Sequence, residues 1–137
     1  MSARIRAVKF FYTTVKDQPG EACRLLADLA SAEVNLLAFS VVPAGAGHTQ
    51  LWLFPDNVVG LTRAAEKGGY DLTGPRRAFL IQGDDKLGAL VEIHRKLCDA
   101  NINVDASSGV TDGRGGYGYV LYVRRTQFDE AAHILGI

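Results

Sequence analysis

A chain of 137 residues has room for one ordinary domain or for two very small ones. Hydrophobic residues make up 47% and charged residues 22%, the balance of a globular chain that buries a core. The formal charge is zero; residues 1–68 hold seven Lys/Arg against six Asp/Glu and residues 69–137 hold eight against nine, so neither half has the basic excess that phosphate-backbone binding needs.

Val8 to Val15 is rich in aromatic and β-branched residues and predicts a strand. Asp17-Gln18-Pro19-Gly20 breaks it. Ala22, Leu25, Leu26, Leu29 and Ala30 then recur at helical spacing. Asn35 to Val42 returns to strand composition, Pro43 to Gly47 is a turn, and Thr49 to Phe54 is another strand. Pro55-Asp56 reads as a helix start, with Val58, Leu61, Thr62 and Ala65 on one face and Gly68-Gly69 as the stop. Tyr70 to Thr73 is a short strand, and Gly74-Pro75 is the one obvious joint. Beyond it come a strand (Arg77 to Gln82), a helix (Gly88 to Ala100), a strand (Asn103 to Thr111), a turn (Asp112 to Gly116) and a strand (Tyr117 to Arg124). A last helix starts at Thr126, with Asp129 three residues on as a capping-box variant and Phe128, Ala131, Ala132 and Leu135 on its apolar face.

This order repeats. Asp17-Gln18-Pro19-Gly20 returns 68 residues later as Asp85-Lys86-Leu87-Gly88, and Asn35 returns as Asn103. Sliding residues 1–69 onto 69–137 without a gap gives 14 identities, among them Phe11/Phe79, Leu29/Leu97, Gly47/Gly115 and Leu53/Leu121. Chance would supply about half as many from average residue usage. The pattern is βαββαβ followed by βαββα. It predicts an α+β chain of two ferredoxin-like βαββαβ units in tandem, the second lacking its last strand. Each antiparallel sheet carries its helices on one face. Residues 1–73 would be the first copy and 74–137 the second. A unit of that size is marginal alone, so the two should pack together. The vacant strand slot of the second copy is open to Ser2 to Ala7 or to a partner chain.

The repeated phrase also resembles a known family. A strand, Asp-x-Pro-Gly, a leucine-patterned helix, then Val-Asn or Ile-Asn before a strand is similar to the ACT domain. The matching stretches are Asp17-Gln18-Pro19-Gly20 to Val34-Asn35 and Asp85-Lys86-Leu87-Gly88-Ala89-Leu90 to Ile102-Asn103, with Leu87 in place of the usual proline. Together they cover nearly the whole chain as tandem units. The resemblance implies a small regulatory module, not an enzyme, that binds an amino acid at an interface between two domains. Its pocket would use the loop after the first strand of one domain and the second strand of its neighbour. The residues so implied are Asp17, Gln18, Pro19, Gly20, Asn35 and Leu36, and Asp85, Lys86, Leu87, Gly88, Asn103 and Val104. It implies no cofactor, a homodimer, and a regulated enzyme as partner. The chemistry agrees: backbone N–H groups at a helix N-terminus suit a carboxylate, an Asp suits an ammonium, and Asn both donates and accepts.

A plainer reading stands beside it, in which Asp17 and Asp85 are helix caps and Gly20 and Gly88 turn formers. Under it the fold serves only protein interaction. An RNA-binding alternative also stands. Gly115 to Tyr122 resembles the signature octapeptide of the RNA-recognition motif, with Gly115 replacing its basic residue, and Ala78 to Gly83 is a weaker match to the accompanying hexapeptide. The charge of this half and the plain strand Thr49 to Phe54 in the first copy count against it. Gly113 to Gly118 has the G-x-G-x-x-G spacing, but a strand rather than a helix follows, which predicts a hairpin. His94 falls at the place of Leu26 and is expected as a partly buried core histidine. No His, Asp, Glu or Cys spacing makes a metal site, and no Ser or Cys has a recognisable base. Cys23 and Cys98 are expected as buried free thiols. With no long apolar run and no signal-peptide core, the chain is expected in the cytoplasm, away from membranes.

Overall fold

The structure, a computed structural model, describes residues 3–137. Its elements are β1 (Arg4–Lys16), α1 (Glu21–Ser31), β2 (Leu36–Pro43), β3 (His48–Pro55), α2 (Val58–Gly68), β4 (Thr73–Asp84), α3 (Val91–Asp99), β5 (Val104–Thr111), β6 (Gly116–Val123) and α4 (Phe128–Leu135). The fold is α+β, with two ferredoxin-like units in tandem. One compact unit is Lys9–Arg76; the other joins Arg77–Ile137 to the start of the chain up to Val8.

Within Lys9–Arg76 the strand order is β2-β3-β1. β1 meets β3 antiparallel from Phe11↔Leu53 to Lys16↔His48. In the other unit the order is β4-β6-β5, and β4 meets β6 from Phe79↔Leu121 to Asp84↔Gly116. Every one of those partners is offset by 68, so the repeat preserves register as well as residues. Even the irregularity is preserved: the β2/β3 ladder shifts between Leu36 and Ala38, and the β5/β6 ladder between Val104 and Ala106. A bulge that recurs at equivalent positions is a built feature of the backbone.

Strand alternation then fixes the cores. Phe11, Leu51 and Leu53 point to α1 and α2 and pack with Leu25, Leu29 and Leu61. Phe79, Tyr119 and Leu121 do the same with Ile93, Leu97 and Phe128 under α3 and α4. Each such Leu or Phe contributes about 1.5–3 kcal/mol on burial. The buried stripe of α1 is narrower than its leucines suggest. Leu25 and Leu29 are 1% and 2% exposed, whereas Leu26 is 37% exposed and Ala30 faces solvent. Cys23 and Cys98 fall on the outer faces of α1 and α3. They are free as expected, but exposed rather than buried.

The strand count differs from the expected seven. Tyr70 to Leu72 is irregular, and one strand, β4, runs from Thr73 through the Gly74-Pro75 joint to Asp84. Gly74 makes this feasible: at φ 135 it lies so close to β1 that a Cβ would come within 2.9 Å of the Phe10 carbonyl oxygen. Pro75, with no N–H to give, is tolerated near the start of a strand. In the unit Lys9–Arg76 the first residues of β4 thus lie beside β1. In the other unit the first residues of β1 lie beside β4, where a Cβ on Gly83 would be 3.3 Å from the Ala3 Cα. Ala3 and Ile5 pack on that core. The vacant slot of the second copy is therefore filled from the chain's own beginning, Ser2 lying outside the described residues.

Three helix starts also shift. Asn57 caps α2, its Oδ1 accepting the Gly60 N–H at 3.2 Å. α3 begins at Val91 rather than Gly88. A 3-10 turn, Arg125–Gln127, precedes α4, and the expected capping box does not form. Asp129 instead accepts from Arg77 Nη1 at 2.8 Å.

Candidate functional site

The first Asp-x-x-Gly turn is tied down before it reaches its helix. The Asp17 N–H donates to the Gly47 carbonyl at 2.8 Å, joining the turn to the β2/β3 hairpin, and the Gln18 N–H donates to Lys16 O at 2.9 Å. Gly20 stands at φ 94, a left-handed conformation that favours glycine, and is the N-cap of α1. Its carbonyl accepts the Arg24 N–H at 2.9 Å. No side chain caps the helix. The Asp17 carboxylate is therefore not the cap that the plainer reading assigned, and the first amides of α1 stay open with the positive end of the helix dipole behind them. Gln18 Nε2 donates to Glu21 Oε1 at 3.0 Å across this opening.

The second turn starts alike and ends otherwise. The Asp85 N–H donates to the Gly115 carbonyl at 2.8 Å. Gly88 is left-handed at φ 74, but it lies inside a turn, closed by Ala89 N–H to Lys86 O and Val91 N–H to Gly88 O, each at 3.0 Å. Leu90 is the N-cap of α3, and again no side chain caps it. Leu87 stands fully exposed where the first turn has Pro19.

Asn35 and Asn103 are exposed and directly precede β2 and β5. The Asn35 carbonyl accepts the Asp56 N–H at 3.1 Å. Leu36 and Val104 lean onto their respective cores. Within one unit these residues and the turns do not meet. The first turn follows Lys16, opposite His48, whereas Leu36 lies opposite Pro55 at the far end of β3. Seven strand steps separate the two ends, about 23 Å. Asp85–Gly88 and Asn103 are related in the same way in the other unit.

What the unit Lys9–Arg76 does bring together is a polar cleft of about 510 Å³ between β1, α1 and the segment after α2. Lys16, Gln18, Glu21, Arg24, Tyr70 and Asp71 line it, with Thr13 at its base. Of the implied residues only Gln18 is among its walls. Tyr70 is buried, its hydroxyl donates to Asp28 Oδ2 at 3.1 Å, and the Arg24 guanidinium sits 4.5 Å from its ring centroid. Burial first, then the Asp28 bond, holds the Tyr70 phenol above its ordinary pKa, so it is a neutral donor. Gly68 makes room for that ring, since a Cβ there would meet it at 2.7 Å. Sequence reading missed Thr13, Arg24, Tyr70 and Asp71. Their common place on the bare side of β1 depends on where β4 starts, which no local pattern reveals.

The remaining candidates resolve into structure. Tyr119 is buried, with its hydroxyl 2.7 Å from His94 Nε2, and Phe79 is stacked on Phe128 at 4.4 Å between centroids. Neither presents a face to a base, and stacking is what the RNA reading required of them. Tyr122 is half-buried, and burial pushes its phenol up to about 12. The Gly113–Gly118 segment is the hairpin expected: Asp112 Oδ1 accepts the N–H groups of Arg114 at 2.6 Å and Gly116 at 3.0 Å. Those two bonds hold the Asp112 carboxyl below the usual range. Among the described residues no cluster of three or more His, Cys, Asp or Glu could hold a metal ion, and no helix is long and apolar enough to cross a membrane.

No family model and no curated protein matches the sequence. Solved structures do match in fold. Protein BT0572 from Bacteroides thetaiotaomicron superposes with a TM-score of 0.82 at 14% identity, over 96% of this chain and 88% of that one. The regulatory subunit of aspartate kinase from Thermus thermophilus, in its ligand-free form, gives 0.68 at 12% identity, over 98% and 95%. A structure of aspartokinase alpha and beta subunits gives 0.61 at 16% identity, over 98% and 95%. At such identities the likeness is one of fold, and it runs the length of the chain. With its register and bulges written twice, the chain has an ACT-like fold of two ferredoxin-like units in tandem.

Proposed function

We propose that the protein is a regulatory module that binds a small molecule, an amino acid by class, and passes the signal through an interface. The observation that carries this reading is the turn ahead of α1. Open amides, a left-handed glycine and the positive end of a helix dipole face outward there, with no side chain of the protein satisfying them. The likeness in fold to the regulatory subunit of aspartate kinase supports it. Asp17–Gly20 and Asp85–Gly88 would each contact ligand, and Asn35-Leu36 and Asn103-Val104 would complete a site only across a domain or subunit interface, since one unit holds its turn and its Asn about 23 Å apart. A homodimer in the cytoplasm supplies such interfaces, and an enzyme partner supplies the output. Ligand would favour the arrangement in which the interface is formed, a population shift that needs no cofactor and no catalysis by this chain.

Thermal denaturation in the presence of each common amino acid tests the reading. A ligand at a hundredfold its Kd stabilises the folded state by about 2.7 kcal/mol, which raises the melting temperature by several degrees. One or a few amino acids are expected to do so. A flat response to all of them at millimolar concentration would sink the proposal.

A further inference from the structure

The cleft of the unit Lys9–Arg76 follows the edge of a strand. Its lining includes Thr13 and Val15, which turn toward the helices, and Thr14 and Lys16, which turn away from them and are exposed. Side chains from both faces of a strand line one cleft where that cleft runs along the strand's margin. β3 holds the other margin as far as Lys16↔His48. β4 does not reach this one: Gly74 lies against Phe10, β4 opens at Thr73, and Tyr70, Asp71 and Leu72 are not strand. Thr14 to Lys16 lie beyond that point.

The hydrogen-bond phase shows which backbone groups face the margin. The Asp17 N–H reaches the Gly47 carbonyl at 2.8 Å, one step past Lys16↔His48. Bonded and non-bonded pairs alternate along an antiparallel ladder. Thr13 and Val15 therefore direct their N–H and C=O to β3, and Thr14 and Lys16 direct theirs the other way. The Lys16 carbonyl accepts the Gln18 N–H at 2.9 Å. The Thr14 N–H and C=O and the Lys16 N–H are left pointing into the cleft, where such groups template a further strand.

We propose that this edge receives an extended segment of a partner protein as an added strand, and that the segment carries an acidic side chain. Thr14 exchanges two backbone bonds with one residue of the segment, and the Lys16 N–H donates to another. Thr13 to Lys16 span about 13 Å, so about four residues of the segment cover them. The Arg24 guanidinium, held over the Tyr70 ring, has no carboxylate partner among the described residues, and its planar fork suits an Asp or Glu of the segment. Asp71, elsewhere in the lining, repels that acid and so favours its place at Arg24. A second copy of the chain fits less well: its own edge is recessed in the same cleft, and two recessed edges cannot meet. Only the existence of a partner is taken over from the regulatory reading, and the amino-acid site stays at the turns and their asparagines.

Display of random heptapeptides against the full chain supplies the probes. Fluorescence anisotropy of the enriched, synthesised peptides then measures binding to wild type and to variants checked by circular dichroism and melting temperature. The enriched peptides are expected to be rich in β-branched residues and to carry an Asp or Glu. Thr14→Pro removes an N–H that points away from β3, so it spares that ladder. It is expected to weaken binding at least about tenfold with little change in melting temperature. Arg24→Glu is expected to weaken it by about tenfold to a hundredfold, and it decides alone if Thr14→Pro does not fold. Failure to enrich any peptide on wild type, or peptides that bind the folded variants as tightly as wild type, would overturn the added strand. Neither result touches the response of wild-type melting temperature to amino acids, which is measured without peptide and judges the ligand reading separately.

Discussion

In both copies the aspartate after the long strand gives its N–H to a hairpin glycine at 2.8 Å, and in both the helix ends the same way. Val34 N–H donates to Leu29 O and Ile102 N–H to Leu97 O, each at 2.9 Å. The residues before them, Glu33 and Asn101, are both left-handed, at φ 58 and 59. Between these fixed points the copies part. α1 starts directly after Gly20, whereas α3 waits until Val91 while a turn uses up the amides around Gly88. The first copy also has the cleft beside β1, lined in part by Tyr70 and Asp71. Duplication has kept what ties the chain together and relaxed what faces solvent, so equal backbones here do not mean equal sites.

The cores offer the largest test of that comparison. Phe11 and Phe79 are equivalent, buried and paired to equivalent leucines. Replacing either with Ala should cost about 3–5 kcal/mol in chemical denaturation. Phe79→Ala should cost more, by about 0.5–1.5 kcal/mol, because Phe79 stacks on Phe128 with the rings 1° from parallel. Equal losses would mean that the stacking adds nothing beyond burial.

The hairpin glycines come next. Gly47 and Gly115 have φ of 75 and 92, and a Cβ on either would meet no atom within 4 Å. Gly47→Ala and Gly115→Ala should therefore pay only for the left-handed backbone, about 1–2 kcal/mol in each copy by the same measurement. A large difference between the two would show that the shared tether to Asp17 and Asp85 is shared only in geometry.

Much of this was legible in the sequence because strands and helices are local. The repeat of 68 foretold a register that holds from Phe11/Phe79 to Lys16/Asp84 without a slip. The use of the long strands was not legible. Gly74-Pro75 carries a strong turn signal, and only the close approach of Phe10, a residue 64 positions away, turns it into strand. The cleft was hidden for the same reason, being the space left where β4 starts late. The helix leucines misled differently: periodicity locates a face but not its width, so Leu26 and both cysteines were placed too deep. Asp17 and Asp85 had cap-like positions, yet what holds them is their backbone N–H, which any residue but proline would offer.

A smaller effect separates the helix ends. Asn visits the left-handed region more readily than Glu does. Glu33→Asn should therefore stabilise the chain and Asn101→Glu destabilise it, each by about half to one kcal/mol, well within the strain of such a position. Denaturant midpoints would show opposite displacements; displacements of one sign would mean that side-chain surroundings, not backbone strain, decide these positions.

The subtlest contrast is one of pH. Asp112 closes the second hairpin, and its equivalent in the first is Ala44, which makes the same backbone bond, N–H to His48 O, without a carboxylate. The N–H groups of Arg114 and Gly116 lower the Asp112 pKa in the folded state. A group so depressed contributes stability above its unfolded pKa, about 3.9, and that contribution disappears as pH falls through the folded value. Asp112→Asn keeps an acceptor oxygen but cannot titrate. Wild type should accordingly lose melting temperature faster than the variant below about pH 4, while the gap between them stays constant from there to neutrality. Parallel curves down to the acid limit would mean that the carboxylate is no better bound in the fold than in the open chain. This difference between the hairpins would then have no energetic consequence.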